Sequence, residues 1–136
     1  MLLVCLALAG CGGSAPASPC SPRVAGVAGA AHLVSDEPDI VTCEYGGTVQ
    51  VIVDSAPQAL VRWQRAQVER TQTTAEWADI PDQQPRMVSG LGLGAFWVSG
   101  PRELVTTDGR RLITVRVVHP VGDARATAVR VARAAL

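Results

Sequence analysis

The sequence predicts an α+β domain: a largely antiparallel sheet of about five strands, in the order β-β-α-β-β-β-α, with its helices packed on one face. Three observations carry that expectation. Apolar and polar residues alternate in short runs that meet at glycine-containing turns, as antiparallel hairpins require. A capped helical segment separates the first pair of runs from the rest. The chain closes on alanine, valine and arginine whose apolar positions recur at helical spacing.

Residues 21–33 are small and apolar, and Val24, Val27 and Ala31 would share one side of a short leading helix. Gly26 and Gly29 weaken it, at about 1 kcal/mol each against alanine. Ser35-Asp36-Glu37-Pro38-Asp39 reads as a loop. Ile40-Val41-Thr42-Cys43-Glu44-Tyr45 reads as the first strand, and residues 48–54 as the second, with Val49, Val51 and Val53 on one face. Gly46-Gly47 between them signals a hairpin.

Asp54-Ser55-Ala56-Pro57 starts a helix, with a capping side chain and then a proline where a missing N–H costs little. The helix is expected to reach about Thr73, with Leu60, Val61, Trp63, Ala66 and Val68 inward and Arg62, Arg65, Glu69 and Arg70 outward. Residues 71–74 and 80–85 favour turns or loop. Gly90-Leu91-Gly92-Leu93-Gly94 then leads into a strand at Ala95-Phe96-Trp97-Val98, which Gly100-Pro101 ends.

Two further strands, 103–107 and 110–118, flank Asp108-Gly109, a pair that tolerates the positive φ of a two-residue type I′ turn. That turn would set Leu104 opposite Ile113, on the face shared by Val115 and Val117. Asp123 can cap the final helix, where Ala124, Ala128, Val131 and Ala135 form a narrow apolar stripe away from Arg125, Arg130 and Arg133.

The N-terminus carries a different signal. Residues 1–10 are apolar and too short for a spanning helix, which needs roughly twenty residues, so they read as a signal-peptide core. Leu8-Ala9-Gly10-Cys11 resembles the bacterial lipobox at all four positions, although no arginine or lysine precedes it. The resemblance implies cleavage before Cys11, palmitate or another acyl chain on the new terminus, and anchorage at the outer face of the cell membrane. Residues 11–19, rich in glycine, serine and proline, would be a solvated tether. Residues 20–136 then form one domain, long enough for one core and too short for two.

With Cys5 in the leader and Cys11 lipidated, Cys20 and Cys43 remain. An exported pair favours a disulfide, which would stabilise the domain by about 3 kcal/mol in the chain-entropy model. Zinc is disfavoured because His32 and His119 lack metal-finger spacing relative to them. Formal net charge is zero and no block of like charge occurs, so neither nucleic acid nor an anionic membrane surface is indicated as partner. Every basic residue is arginine, a bias that resembles GC-rich genomes.

Taken together, the lipobox cysteine, the short tether, a paired cysteine ahead of Cys43-Glu44-Tyr45, the run Gly92-Leu93-Gly94-Ala95-Phe96-Trp97, a glycine-turn hairpin and an alanine-rich last helix resemble small secreted lipoproteins of actinobacteria grouped under domains of unknown function. The resemblance implies an envelope-attached α+β domain with one disulfide. It transfers no catalytic residues.

Candidate chemistry is thin. The glycines at 90, 92 and 94 do not follow a strand and open a helix, as a phosphate loop must, so they read as a bend into a strand. His32 and His119 stand apart from any nucleophile motif. Asp36-Glu37-Pro38-Asp39 lacks the spacing of a calcium loop and reads as solvated. Trp63 and Trp97 are expected to pack between helix and sheet, and Trp77 beside Glu76 and Asp79 is the candidate binding face. No cofactor or metal is expected. The expected role is a non-enzymatic envelope module contacting a protein, a cell-wall polymer or a lipid. One alternative is a carrier or sensor of a small apolar ligand held between sheet and helices. The other is a hydrolase with a spatially assembled site.

Overall fold

The computed structural model describes residues 18–59, 61–65 and 84–136. Their centre is the pairing of two strands far apart in sequence, Val49–Asp54 and Leu112–Val117, which run antiparallel with Val51 opposite Val115. Both alternate, so Val49, Val51 and Val53 join Ile113, Val115 and Val117 on one face. Each strand then carries its own meander outward. In chain order the strands are β1 (Ala31–Asp36), β2 (Ile40–Tyr45), β3 (Val49–Asp54), β4 (Arg86–Met87), β5 (Ala95–Val98), β6 (Glu103–Thr107) and β7 (Leu112–Val117). They form one antiparallel sheet in the spatial order β1-β2-β3-β7-β6-β5-β4. The α+β class holds, with seven strands among the described residues rather than about five.

The two additional strands lie at the edges. β1 occupies residues expected to be helix end and loop, and it pairs with β2 through a bulge between Leu33 and Ser35. The leading helix exists but is shorter than expected: α1 (Pro22–Ala28) ends at Gly29, whose φ of 106° stops it. Ser21 caps α1 by accepting the Val24 N–H, and Pro22 occupies its first turn. β4 is only two residues long and lies just past residues 80–85, the segment in which the sequence favoured turns or loop.

α1 and α3 (Ala124–Ala135) cover one face of the sheet. Asp123 caps α3 through the Ala126 N–H, and Ala128, Val131 and Ala132 are its buried positions. Alanines on that face let the helix lie close to Leu104, Ile113 and Val115, which are themselves fully buried. The helical residues 59 and 61–65, α2, sit on the other side. Trp63 stacks on Phe96 with ring centroids 5.8 Å apart, and both pack on Val105. Phe96 and Val105 pair across β5 and β6 and point away from Trp97 and Leu104. The helices therefore occupy both faces rather than one, because Trp63 meets residues of opposite parity to those under α3. Trp97 is buried on the α1/α3 side. Val61, expected inward, is exposed. Leu60, Ala66, Val68 and the expected helix end near Thr73 lie outside the described residues.

Both hairpins form with longer turns than expected. Tyr45 pairs with Val49, so residues 46–48 make a three-residue loop in which both glycines have positive φ. At the second hairpin Thr107 pairs with Leu112, a four-residue loop, and Leu104 faces Val115 instead of Ile113. Asp108 explains the length: its Oδ1 accepts the Arg110 and Arg111 N–H groups, at 2.9 and 2.8 Å, closing a side-chain turn in place of type I′. The register moves by two residues. Because side chains alternate with period two, every residue stays on its expected face.

Candidate functional site

A cavity of about 270 Å³ with mixed apolar and polar lining lies between α1, the β2–β3 face and the end of α3. Alternation builds its floor: Val41 and Cys43 on β2 lie opposite Val53 and Val51 on β3, all directed to the α1/α3 side. Val24 of α1 supplies a wall and Ala135 of α3 another. Branched, short side chains leave the space; a leucine or phenylalanine at these positions would fill it.

The disulfide fixes the α1 side. Cys20 and Cys43 are joined with Cα atoms 5.8 Å apart, tying the residue before the Ser21 cap of α1 to β2. Tyr45 repeats the tie: its buried hydroxyl accepts the Ser21 N–H at 2.9 Å. Burial pushes the phenol above its ordinary pKa, and the Ser21 hydrogen bond opposes that rise only in part. A neutral tyrosine therefore lines the cavity at neutral pH.

The opposite end is polar. Arg111 places its guanidinium against the Ala135 and Leu136 oxygens at 3.3 and 3.4 Å, satisfying groups that the end of α3 leaves open. Its Nε and Nη2 also bind the Asp108 carboxylate at 3.0 and 2.9 Å. Burial alone would raise the Asp108 pKa. The Arg111 and Arg110 N–H groups and the Arg111 cation outweigh it and hold the carboxyl below its ordinary range. An apolar floor with a fixed cation at one end and hydroxyls from Ser21, Ser55 and Tyr45 matches, in its chemistry, an apolar body with one polar head.

The residues singled out from sequence do not converge. Cys20 and Cys43 form the cavity's covalent edge. His32 lies on exposed β1 opposite Glu44, on the face away from α1 and α3, and His119 lies past β7 beside a different hollow. Among the described residues no side chain hydrogen-bonds either imidazole, and no group of three or more His, Cys, Asp or Glu is placed to hold a metal ion. Asp36 ends β1, and Glu37 and Asp39 lie in the exposed turn between β1 and β2. The glycine run bends into β5 as expected: Leu93 N–H reaches the Thr107 oxygen at 2.8 Å, and no helix follows. Cys11 and Trp77, the expected lipidation site and binding face, lie outside the described residues. Among the described residues no helix is long and apolar enough to cross a membrane.

Sequence reading envisaged a cavity between sheet and helices but named none of its valines, nor Arg111. The alternation of β2 and β3 was the available signal for the floor. Nothing local marked Arg111, whose role depends on the hairpin bringing it to the end of α3. Comparison of the chain with protein-family models, with curated proteins and with solved structures finds no match.

Proposed function

We propose that this chain is an exported, lipid-anchored, non-enzymatic binding domain that holds a small amphiphile, apolar in its body and polar at one end. The 270 Å³ cavity carries the reading. Ligand pockets occupy roughly 300–1,000 Å³, so this one suits a small molecule or the end of a longer chain. The valine floor supplies the apolar contact and Arg111 the polar one. The anchor part of the proposal rests on the lipobox resemblance at Leu8-Ala9-Gly10-Cys11 and on the Cys20–Cys43 pair, since disulfides persist where exported proteins reside. The resemblance to actinobacterial lipoproteins fits the same picture.

The test uses protein purified from its own membranes. Solvent extracts should contain one amphiphile in near-stoichiometric amount, and the fluorescence of anilinonaphthalene sulfonate should rise saturably on binding. Val53→Trp, which fills the cavity from its partly buried floor, should weaken that binding at least tenfold while the melting temperature stays within a few degrees. A clean extract together with probe binding indifferent to Val53→Trp would overturn the reading.

A further inference from the structure

The neutral net charge conceals a locally basic surface on the helices. Among the described residues Arg62, Arg111 and Arg116 each have a carboxylate partner: Asp54, Asp108 and Glu103. Eight have none, all of them exposed: four lie on α2, on β4 and in the loops after β5 and β6, and the other four are Arg23, Arg125, Arg130 and Arg133. These last are scattered over 110 positions in sequence, yet all four sit on the two helices that cover one face of the sheet.

Helical spacing makes them contiguous. Arg125, Val129 and Arg133 form one row on α3, with Arg130 in the neighbouring row, and together they line an open groove of about 440 Å³. Arg130 also lines a second hollow of about 190 Å³, whose other side is Val27 of α1 and the loop residues His119 and Val121. Arg23 lies one turn before Val27 on α1. Val121, 81% exposed, and Val27, 38% exposed, stand among these cations without apolar cover. Asp123 is the one acid in the lining, and its carboxylate accepts the Ala126 N–H at 3.2 Å.

From this surface we infer that the outer face of α1 and α3 docks on an anionic phospholipid bilayer, arginines against the headgroup phosphates and Val27 and Val121 at the interface. Arginine forks match phosphate oxygens, and each cation beside such a surface raises partition roughly fivefold. The inference rests on the proposed anchor in one respect. Nine residue steps lead from Cys11 to Cys20, which precedes α1 by two positions, so a lipid on Cys11 would hold this end of the domain within about 32 Å of the bilayer. Weak docking at that effective concentration becomes the resident state.

Phenylglyoxal modification of arginines, read peptide by peptide, tests it on the full chain with vesicles of phosphatidylcholine alone or with 30 mole per cent phosphatidylglycerol. Arg23, Arg125, Arg130 and Arg133 should react at least fivefold more slowly on the anionic vesicles, and 0.5 M salt should restore their rates. Arg65, on α2 across the sheet, should react equally on both. In the double variant Arg130→Glu with Arg133→Glu, whose sites are exposed, the protection of Arg23 and Arg125 should disappear. Equal rates on both vesicles, or uniform slowing that includes Arg65, would overturn the docking. Protection by soluble polyphosphate as strong as by the bilayer would also overturn it, assigning the face to a wall polyanion. The intact mass of the same sample reads Cys11 independently. A lipidated Cys11 with unprotected arginines rejects the docking alone, and an unmodified Cys11 with protected arginines rejects the anchor alone.

Discussion

Tyr45 joins three roles in one side chain. Its ring closes the core beside the disulfide, its hydroxyl fixes the start of α1 through Ser21, and its edge lines the cavity. Replacing it by phenylalanine keeps the ring and removes the acceptor, so Tyr45→Phe should cost about 1 kcal/mol in chemical denaturation. The titration gives a sharper signature. Burial, only partly offset by the Ser21 hydrogen bond, raises the native phenol above its ordinary pKa of about 10, so above that value the native state holds more protons than the unfolded one. The stabilising contribution is thus complete below the unfolded pKa and is lost as pH rises through the folded one. Tyr45 is the single tyrosine in the chain, which lets absorbance near 295 nm follow this group alone. Its midpoint should lie above that of the urea-unfolded chain, and the alkaline fall in stability above about pH 10 should be shallower in Tyr45→Phe. A midpoint unchanged by unfolding would contradict the burial.

The glycine bend before β5 shows how an element depends on a missing atom. Gly92 has φ of 49°, and a Cβ there would stand 2.2 Å from the Thr107 oxygen and 2.9 Å from the Thr106 hydroxyl. That close approach lets Leu93 bond Thr107 and lets Thr106 donate to the Gly94 oxygen at 2.7 Å, docking the bend on the end of β6. Gly92→Ala should therefore cost about 2–3 kcal/mol, from backbone strain plus overlap with the strand. Gly90, with φ of 78° but open space around it, should cost about 1 kcal/mol on the same change. Equal losses in urea titrations would mean that conformation, not contact, sets the cost. The bend was legible as a bend because no helix could follow Ala95-Phe96-Trp97; which glycine bears the contact was not, since that depends on Thr107 across the sheet. Strands β2, β3 and β7 were legible from alternation, because one face of each is the more buried, whereas β6, buried on both faces, was legible from the hairpin signal beside it. β1 carries almost no burial signal: five of its six residues are exposed and a bulge breaks its period. The hairpin at Asp108 was placed correctly and its length was not, since a side chain closed the turn.

At the scale of the whole molecule, the cavity and the basic face both depend on α1 staying on the sheet. α1 is seven residues long, too short to persist by itself, and it buries little beyond Val24. Three ties hold it: the bond from Cys20 to Cys43, the Tyr45–Ser21 hydrogen bond, and packing against α3. Neither site was visible in sequence for the same reason. The cavity is assembled from Val24 to Ala135, and the arginines meet only when α1 and α3 lie side by side. Removing the disulfide should then act on function before it unfolds the core, which is built on β3 and β7 without α1. The 23-residue separation corresponds to about 3 kcal/mol of loop entropy, so the double variant Cys20→Ser with Cys43→Ser should melt roughly 10 °C lower. Because the ordering of α1 shares that loss, hydrogen exchange should show α1 amides opening far more readily than those of β3 and β7 in the variant. Anilinonaphthalene sulfonate binding should weaken with it, since Val24 then leaves the cavity wall. Uniform acceleration of exchange across both regions would instead make the disulfide a global constraint on the unfolded chain, with no special hold on the helix that borders the site.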